Sequence, residues 1–124
     1  MIVRWGLAEL PGVLGELGIE QPLLVASERM GGTNLGLRTA ARWTEVPSDQ
    51  VRAAAEHAGD GVIAVGGGSA IDLGKAISAE ADVPVVSVPT TYSGAEWTSF
   101  YGIRDPERKM RGGGAGAHLG GVVY

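Results

Sequence analysis

Gly61-Val62-Ile63-Ala64-Val65-Gly66-Gly67-Gly68-Ser69-Ala70-Ile71-Asp72-Leu73-Gly74-Lys75-Ala76-Ile77-Ser78-Ala79-Glu80 is the stretch on which the fold turns. Its first five residues are a short apolar run, the composition of a strand buried on both faces of a parallel sheet. Three glycines interrupt the run. Leu73, Ala76, Ile77 and Glu80 then fall at helical spacing, which predicts a helix over 69–80. Val83-Pro84-Val85-Val86-Ser87-Val88 predicts a second buried strand. Strand, loop, helix and strand within about 30 residues make a right-handed βαβ unit, and that unit implies a mostly parallel, Rossmann-like α/β sheet flanked by helices.

Working outward, Ile2 to Trp5 predicts a short strand and Leu7 to Leu17 a helix stopped by Gly18. Pro22 to Ala26 has the composition of another buried strand, followed by a turn-rich loop over 27–34 and a strand around 38–43. Pro47-Ser48-Asp49 looks like a helix start, continued by the alanine-rich run Val51 to Ala58. Beyond Pro89, Trp97 to Ile103 and Lys109 to Arg111 flank the turn Arg104-Asp105-Pro106-Glu107, the pattern of a β-hairpin. Gly121 to Tyr124 predicts a terminal strand.

A chain of 124 residues is expected to be one domain with a real core. Hydrophobic residues at 44% and charged residues at 19% are ordinary for a water-soluble domain. The net charge of -4 offers no general attraction to nucleic acid or to an anionic membrane surface. With no cysteine, disulfides and thiolate metal sites are excluded. Neither a signal peptide nor a bilayer-long apolar run is visible, so a cytoplasmic location is expected. Glycine stands out at 21 positions, where a usual share of roughly 7% would give far fewer. Most sit in bursts at the edges of apolar runs, where backbone must turn or approach something closely.

A strand running straight into a helix aims the helix's first free N–H groups, and the positive end of its dipole, at the strand's carboxyl end. Glycines let a phosphate reach that backbone, and Ser69 adds a hydroxyl. The Rossmann fingerprint G-x-G-x-x-G fails because Ile71 stands where its third glycine belongs. The P-loop pattern also fails: five residues separate Gly68 from Gly74, and Ala76 replaces the Mg²⁺-binding hydroxyl after Lys75. Ser69-Ala70-Ile71-Asp72 is also an S-x-x-D capping box, which would stabilise the helix with no ligand at all. A cap needs no run of three glycines before it, and the run favours phosphate.

Gly66 to Ala76 resembles the GGGSxxDxxKxx signature of the iron-containing alcohol dehydrogenase superfamily. Pro89-Thr90-Thr91-Tyr92-Ser93-Gly94-Ala95-Glu96-Trp97-Thr98 resembles the PTTYxGxExT segment of its maleylacetate reductase branch. The resemblance covers most of the chain from Leu23 onward and is weak over 27–50. It implies a domain that binds NAD or NADP. Gly66, Gly67, Gly68 and Ser69 would take the pyrophosphate and Asp72 would sit near the nicotinamide. Thr90, Thr91 and Ser93 would line the adenosine and phosphate side, with Tyr92, Ser99 and Lys109 as weaker candidates. Thr90 and Thr91 also have a plain reading as strand-end residues bonded to backbone. Lys75 is expected to face solvent.

The resemblance further implies a C-terminal helical domain, absent from these residues, that carries the substrate site and any iron or zinc ligands. By itself the chain is therefore expected to be inactive, with no catalytic residue assigned. Its uncovered apolar faces would favour self-association or a partner chain. The family normally places a crossover helix after the strand at Leu23, and Glu28 to Leu37 is short and glycine-rich for one. His57 is expected on a solvated helix and His118 in a free glycine-rich loop, and two isolated histidines make no metal site. Arg104, Arg108, Lys109 and Arg111 either form a solvated hairpin or help to bind a phosphate or acidic substrate. Expected partners are thus a nicotinamide dinucleotide and a small carbonyl or alcohol substrate, with a non-catalytic nucleotide-binding module or a ligand-free remnant as alternatives.

Overall fold

The structure, a computed structural model, describes residues 1–30, 35, 39 and 41–124. Six parallel strands form one sheet: β1 (Ile2–Arg4), β2 (Pro22–Val25), β3 (Ala41–Trp43), β4 (Gly61–Gly66), β5 (Pro84–Pro89) and, last in the chain, β8 (His118–Val123). Their spatial order is β1-β8-β5-β4-β2-β3. β6 (Tyr101–Arg104) and β7 (Met110–Gly114) make a separate antiparallel hairpin. The α/β class, the parallel sheet and the hairpin all agree with the reading of the residues.

Helices α1 (Leu10–Leu17), α2 (Val51–Ala55) and α3 (Gly68–Ala81) cover the sheet. Side chains alternate between two cores, because successive strand residues face opposite sides. Leu24, Ala26, Ile63 and Val65 pack in the core that holds Leu10, Val13 and Leu14 of α1. Leu23, Val25, Val62 and Ala64 pack in the other, with Ala54 of α2 and with Leu73 and Ile77 of α3. Both faces are thus apolar, which is why β2 and β4 are continuous hydrophobic runs.

Several boundaries differ from expectation: the helix expected from Leu7 begins at Leu10 after a 3-10 turn over Leu7–Glu9, and the strand expected from Gly121 begins at His118. The helix expected over 51–58 closes after Ala55, and His57 lies just beyond it in a turn. The strand expected from Trp97 begins only at Tyr101, since Ala95–Trp97 is a single 3-10 turn. The strand expected around 38–43 is β3 over Ala41–Trp43, and Arg38 lies outside the described residues. No helix among the described residues is long and apolar enough to cross a membrane.

Helix α3 is set by a glycine against β4. A Cβ at Gly74 would stand 2.6 Å from the Ala64 Cβ and 3.4 Å from Val85 Cγ2. Gly74→Ala must therefore push α3 off the sheet. We expect it to destabilise the protein by about 1–3 kcal/mol, the usual cost of overpacking. A lowered urea midpoint at unchanged m-value would show this, and an unchanged midpoint would contradict it.

Candidate functional site: the crevice at the carboxyl ends of β2, β4 and β5

The chain leaves β2 toward β3 at one edge of the sheet, whereas it leaves β4 toward β5 and β8 on the other side. The topology therefore reverses between β2 and β4, and a crevice opens at the carboxyl ends of strands at such a point. Two loops meet there. Val65 pairs with Val88 and Gly66 with Pro89, and the Thr90 N–H donates to the Gly66 carbonyl at 2.9 Å. The glycine loop and the Pro89-Thr90-Thr91 segment are therefore neighbours.

Gly66 makes the turn out of β4 at φ 145°, where a Cβ would also come within 2.9 Å of the Ala70 Cβ. Gly67, at φ -84° and ψ -165°, is the N-cap of α3. A positive φ is thus confined to Gly66 within this loop. The Ile71 N–H donates to the Gly67 carbonyl at 3.1 Å, so the amides of Gly68, Ser69 and Ala70 precede the helical ladder and have no partner within it. They lie at the positive end of a 14-residue helix with no acidic residue in its first turn. A Cβ on Gly67 would lie 3.3 Å from Thr91 Oγ1, and one on Gly68 would lie 3.4 Å from the Ser93 Cβ. Thr91 and Ser93 thus stand over bare backbone.

The alternative capping box does not form, because the N-cap is Gly67 and no side chain bonds to the helix start. Ser69 Oγ instead accepts a bond of 3.4 Å from Arg108 Nη1. Asp72 turns toward the hairpin, where its carboxylate accepts the Gly102 N–H at 3.1 Å, and it pairs with Lys75 Nζ at 3.4 Å.

Lys75 corrects the solvent-facing expectation, with only 1% of its surface exposed. Its ammonium donates to the Ala95 carbonyl at 2.7 Å and to Thr98 Oγ1 at 3.3 Å. A buried cation persists only when paired and hydrogen-bonded, and Asp72, Ala95 and Thr98 supply those partners. Lys75 thereby ties the segment after Thr90-Thr91 to the body of α3.

The crevice holds a cleft of ≈ 620 Å³, within the usual range for small-molecule sites. Gly66 to Ala70, Thr90 and Thr91 form part of its wall, Ser27, Arg29 and Met30 come from beyond β2, and Arg108 comes from the hairpin. No Asp or Glu lines it among the described residues. Among the other residues singled out from the sequence, Tyr92 is fully exposed and Ser99 accepts the Ala117 N–H at its carbonyl. Lys109 is exposed on the hairpin turn. None of these three lines the cleft. Asp72 lies beside a second, smaller cavity of ≈ 280 Å³, reached over Gly68 and Ser69.

Arg108 reaches the cleft because Asp105 shapes its turn. The Asp105 carboxylate accepts the N–H groups of Glu107 at 2.9 Å and Lys109 at 3.0 Å, and Arg111 Nε at 2.7 Å. Arg108 lies between them in the left-handed region at φ 69°. Burial pushes the Asp105 carboxyl up, but the Lys109 and Glu107 amides and the Arg111 guanidinium outweigh it, so the group stays below the ordinary carboxylate range. The basic cluster is thus divided in its roles: Arg111 pairs with Asp105 and Arg104 donates to the Arg108 carbonyl at 3.0 Å, while Arg108 faces Ser69.

His118 is not in a free loop. It is the first residue of β8, its N–H donates to Ser78 Oγ at 2.9 Å, and its Nε2 lies 2.8 Å from Asp82 Oδ1. That end of a parallel strand is opposite the crevice. Among the described residues no group of three or more His, Cys, Asp or Glu is placed to hold a metal ion. Sequence reading left Lys75 and Arg29 out of the site and Arg108 unassigned. The clustered charge at 104–111 was the only signal for Arg108, and nothing in the spacing marks the other two.

Two outcomes follow from these contacts. Lys75→Met leaves the Ala95 carbonyl without its donor, so it should lower stability by about 1–3 kcal/mol in urea unfolding; an unchanged midpoint would contradict the tie. Asp105 has a depressed folded-state pKa, so its contribution is present above the unfolded value of about 3.9 and is lost as pH falls through the lower folded value. The Glu107 and Lys109 amide resonances, whose N–H groups donate to Asp105, should therefore hold steady down to about pH 4 and move only below it. In Asp105→Asn they should be displaced at neutral pH and lose that acid step.

The pattern of the iron-containing alcohol dehydrogenase family matches residues 3–118. The maleylacetate reductase of Pseudomonas knackmussii is 33% identical over 134 residues, an alignment taking in 95% of this chain and 38% of that protein. An iron-containing alcohol dehydrogenase from Corynebacterium glutamicum superposes with a TM-score of 0.84 at 25% identity, over 100% of this chain and 39% of that one. The sulfoacetaldehyde reductase of Bifidobacterium kashiwanohense, solved in complex with NAD+, shares the fold with a TM-score of 0.76 at 20% identity, over 99% of this chain and 44% of that one. The chain spans less than half the length of these relatives. Its match from residue 3 to residue 118 is nonetheless nearly end to end, and the chain belongs to the iron-containing alcohol dehydrogenase family.

Proposed function

We propose that the crevice binds the pyrophosphate of a nicotinamide dinucleotide, and that the chain is the cofactor-binding part of an oxidoreductase. The complete reaction would move a hydride between NAD(P)H and a small carbonyl or alcohol, as a maleylacetate reductase or alcohol dehydrogenase does. The observation that carries this reading is the set of free amides at Gly68, Ser69 and Ala70, opening on a cleft that no carboxylate lines among the described residues. The likeness to maleylacetate reductases and to an NAD+-bound reductase supports it.

When bound, the cofactor supplies the hydride chemistry, and the protein's task is to bind and orient it. Gly66 turns the chain so that the α3 amides face the cleft, and Gly67 and Gly68 let Thr91 and Ser93 pack directly over the loop backbone. The Ser69 hydroxyl and the Arg108 guanidinium add donors on the same side. Asp72, held by Lys75 and the Gly102 amide, gives a fixed acceptor next to the loop. Thr90 borders the cleft, and Tyr92, Ser99 and Lys109 are left as candidates outside its wall. Among the described residues no group of three or more His, Cys, Asp or Glu is placed to hold the family's iron. The groups that hold a substrate carbonyl against the nicotinamide are assigned to no residue of this chain.

Gly67→Val tests the reading. Its backbone conformation suits any residue, but the branched side chain fills space 3.3 Å from Thr91 Oγ1. We expect circular dichroism like wild type and NADH and NADPH binding weakened by about tenfold or more in calorimetry. Wild-type affinity in the folded variant would remove the phosphate from this loop.

A further inference from the structure

We infer that Arg108 is a phosphate clamp supplied by the hairpin, and that Asp105 is the positioning residue that aims it at the glycine loop. The inference rests on the proposed reading of the cleft as a dinucleotide site. Among the described residues, Arg108 and Asp82 are the two non-glycine residues with a positive φ. At φ 69° the Arg108 Cβ crowds its own backbone, and a glycine would make the same turn without that cost. A strained position given to a side chain with five N–H donors points to a use for that side chain.

The bonds around Arg108 hold it there. Its N–H donates to the Asp105 carbonyl at 2.8 Å, and its carbonyl accepts from Arg104 Nη1 at 3.0 Å. The amides on either side of it, from Glu107 and Lys109, both donate to one oxygen, Asp105 Oδ1. The other oxygen, Oδ2, is taken by Arg111 Nε at 2.7 Å. Asp105 is buried, so a single carboxylate oxygen fixes the backbone on both sides of Arg108 while the charge of that carboxylate is spent on Arg111. The Arg108 guanidinium is left to leave the turn, and it pairs with no carboxylate among the described residues.

Its contact is on the glycine loop, with Ser69 Oγ at 3.4 Å, long for a hydrogen bond. The amides of Gly68, Ser69 and Ala70 open beside the same hydroxyl without partners in the helix. A phosphate oxygen placed between them meets a charged donor on one side and fixed neutral donors on the other. It exchanges one long bond for shorter, charge-assisted ones. Helix α3 supplies the amides whatever the hairpin does, whereas the guanidinium is in place only while the turn at 105–109 keeps its form. Asp105 thus acts on the anion through Arg108 and touches nothing in the cleft itself.

The test is calorimetric titration with NADH and with ADP, which carries a pyrophosphate without the nicotinamide. Arg108→Ala should weaken both ligands by about 10- to 100-fold, the range of hydrogen bonds to a charged group, and Arg108→Lys should recover part of the loss. Asp105→Ala should lose as much as Arg108→Ala, and the double variant no more than either alone, because one residue acts through the other. Asp105→Asn keeps an oxygen for the two amides and should keep most of the affinity. Arg111→Gln, which frees only Oδ2, should bind like wild type. If Asp105 merely supports the fold, Asp105→Ala will lower the urea midpoint and either spare the affinity or add its loss to that of Arg108→Ala; both results would overturn the positioning role. Should Asp105→Ala misfold by circular dichroism, a folded Asp105→Asn as weak as Arg108→Ala would overturn it too. NADH binding unchanged in Arg108→Ala, a loss confined to NADH, or wild type that binds NADH and not ADP would each overturn the clamp and leave the cofactor site standing. Wild type that binds neither ligand would overturn both.

Discussion

Helix α3 lies against β4 at a distance that only a residue without a side chain at position 74 allows, and this contact orients the rest of the site. Rotating the helix would bring a residue with a side chain against Ala64, so its first turn is fixed over the end of β4. The left-handed turn at Gly66 completes the constraint by sending the chain directly from strand to helix. Amides that would lie idle at an ordinary helix start are thereby held at the mouth of the crevice.

Polar contacts then attach two other segments to that helix. Lys75 crosses from α3 to the Ala95 carbonyl and Thr98, and its neighbour Asp72 takes the Gly102 amide of the hairpin. Each of these groups is costly to bury alone and is stable only in company, so the network has few alternative arrangements. The hairpin adds its own polar centre at Asp105, which determines where Arg108 emerges. The same carboxylate neutralises Arg111, leaving Arg108 directed at Ser69. Elsewhere the chain keeps aromatic side chains exposed near its last strand, with Trp5 stacked on Tyr124 at 6.2 Å.

Charge is distributed against the average of the molecule. A net negative protein in water gains nothing general from attracting anions, and the cleft, which no acidic side chain lines among the described residues, is a local exception built by three elements. Helix amides, the hairpin arginine and the arginine beyond β2 are distant in sequence, and only the sheet order brings them together. The proposed cofactor role depends on that convergence more than on any one residue.

From its residues alone, the chain determined the βαβ unit, the buried strands, the glycine turn and the hairpin, since each follows from local periodicity or backbone freedom. The runs at Val62 to Val65 and Val85 to Val88 have no polar alternative, and Gly66 to Gly68 have no reason to interrupt a core except a turn. Family signatures were legible for the same cause, being contiguous. What only the tertiary structure decided concerns long, flexible or ambiguous side chains. Lys75 reads as a surface residue until the loop after Thr91 is folded over it, and Ser69-x-x-Asp72 reads as a cap until the hairpin offers Asp72 a better donor. Arg29 and Glu28 are adjacent and opposite in charge, and the 3-10 turn that puts one on the cleft wall and not the other has no local signature. Side-chain direction at such positions is set by contacts 20 to 40 residues away in sequence, as the Lys75–Ala95 and Ser69–Arg108 bonds are, and no local pattern encodes them.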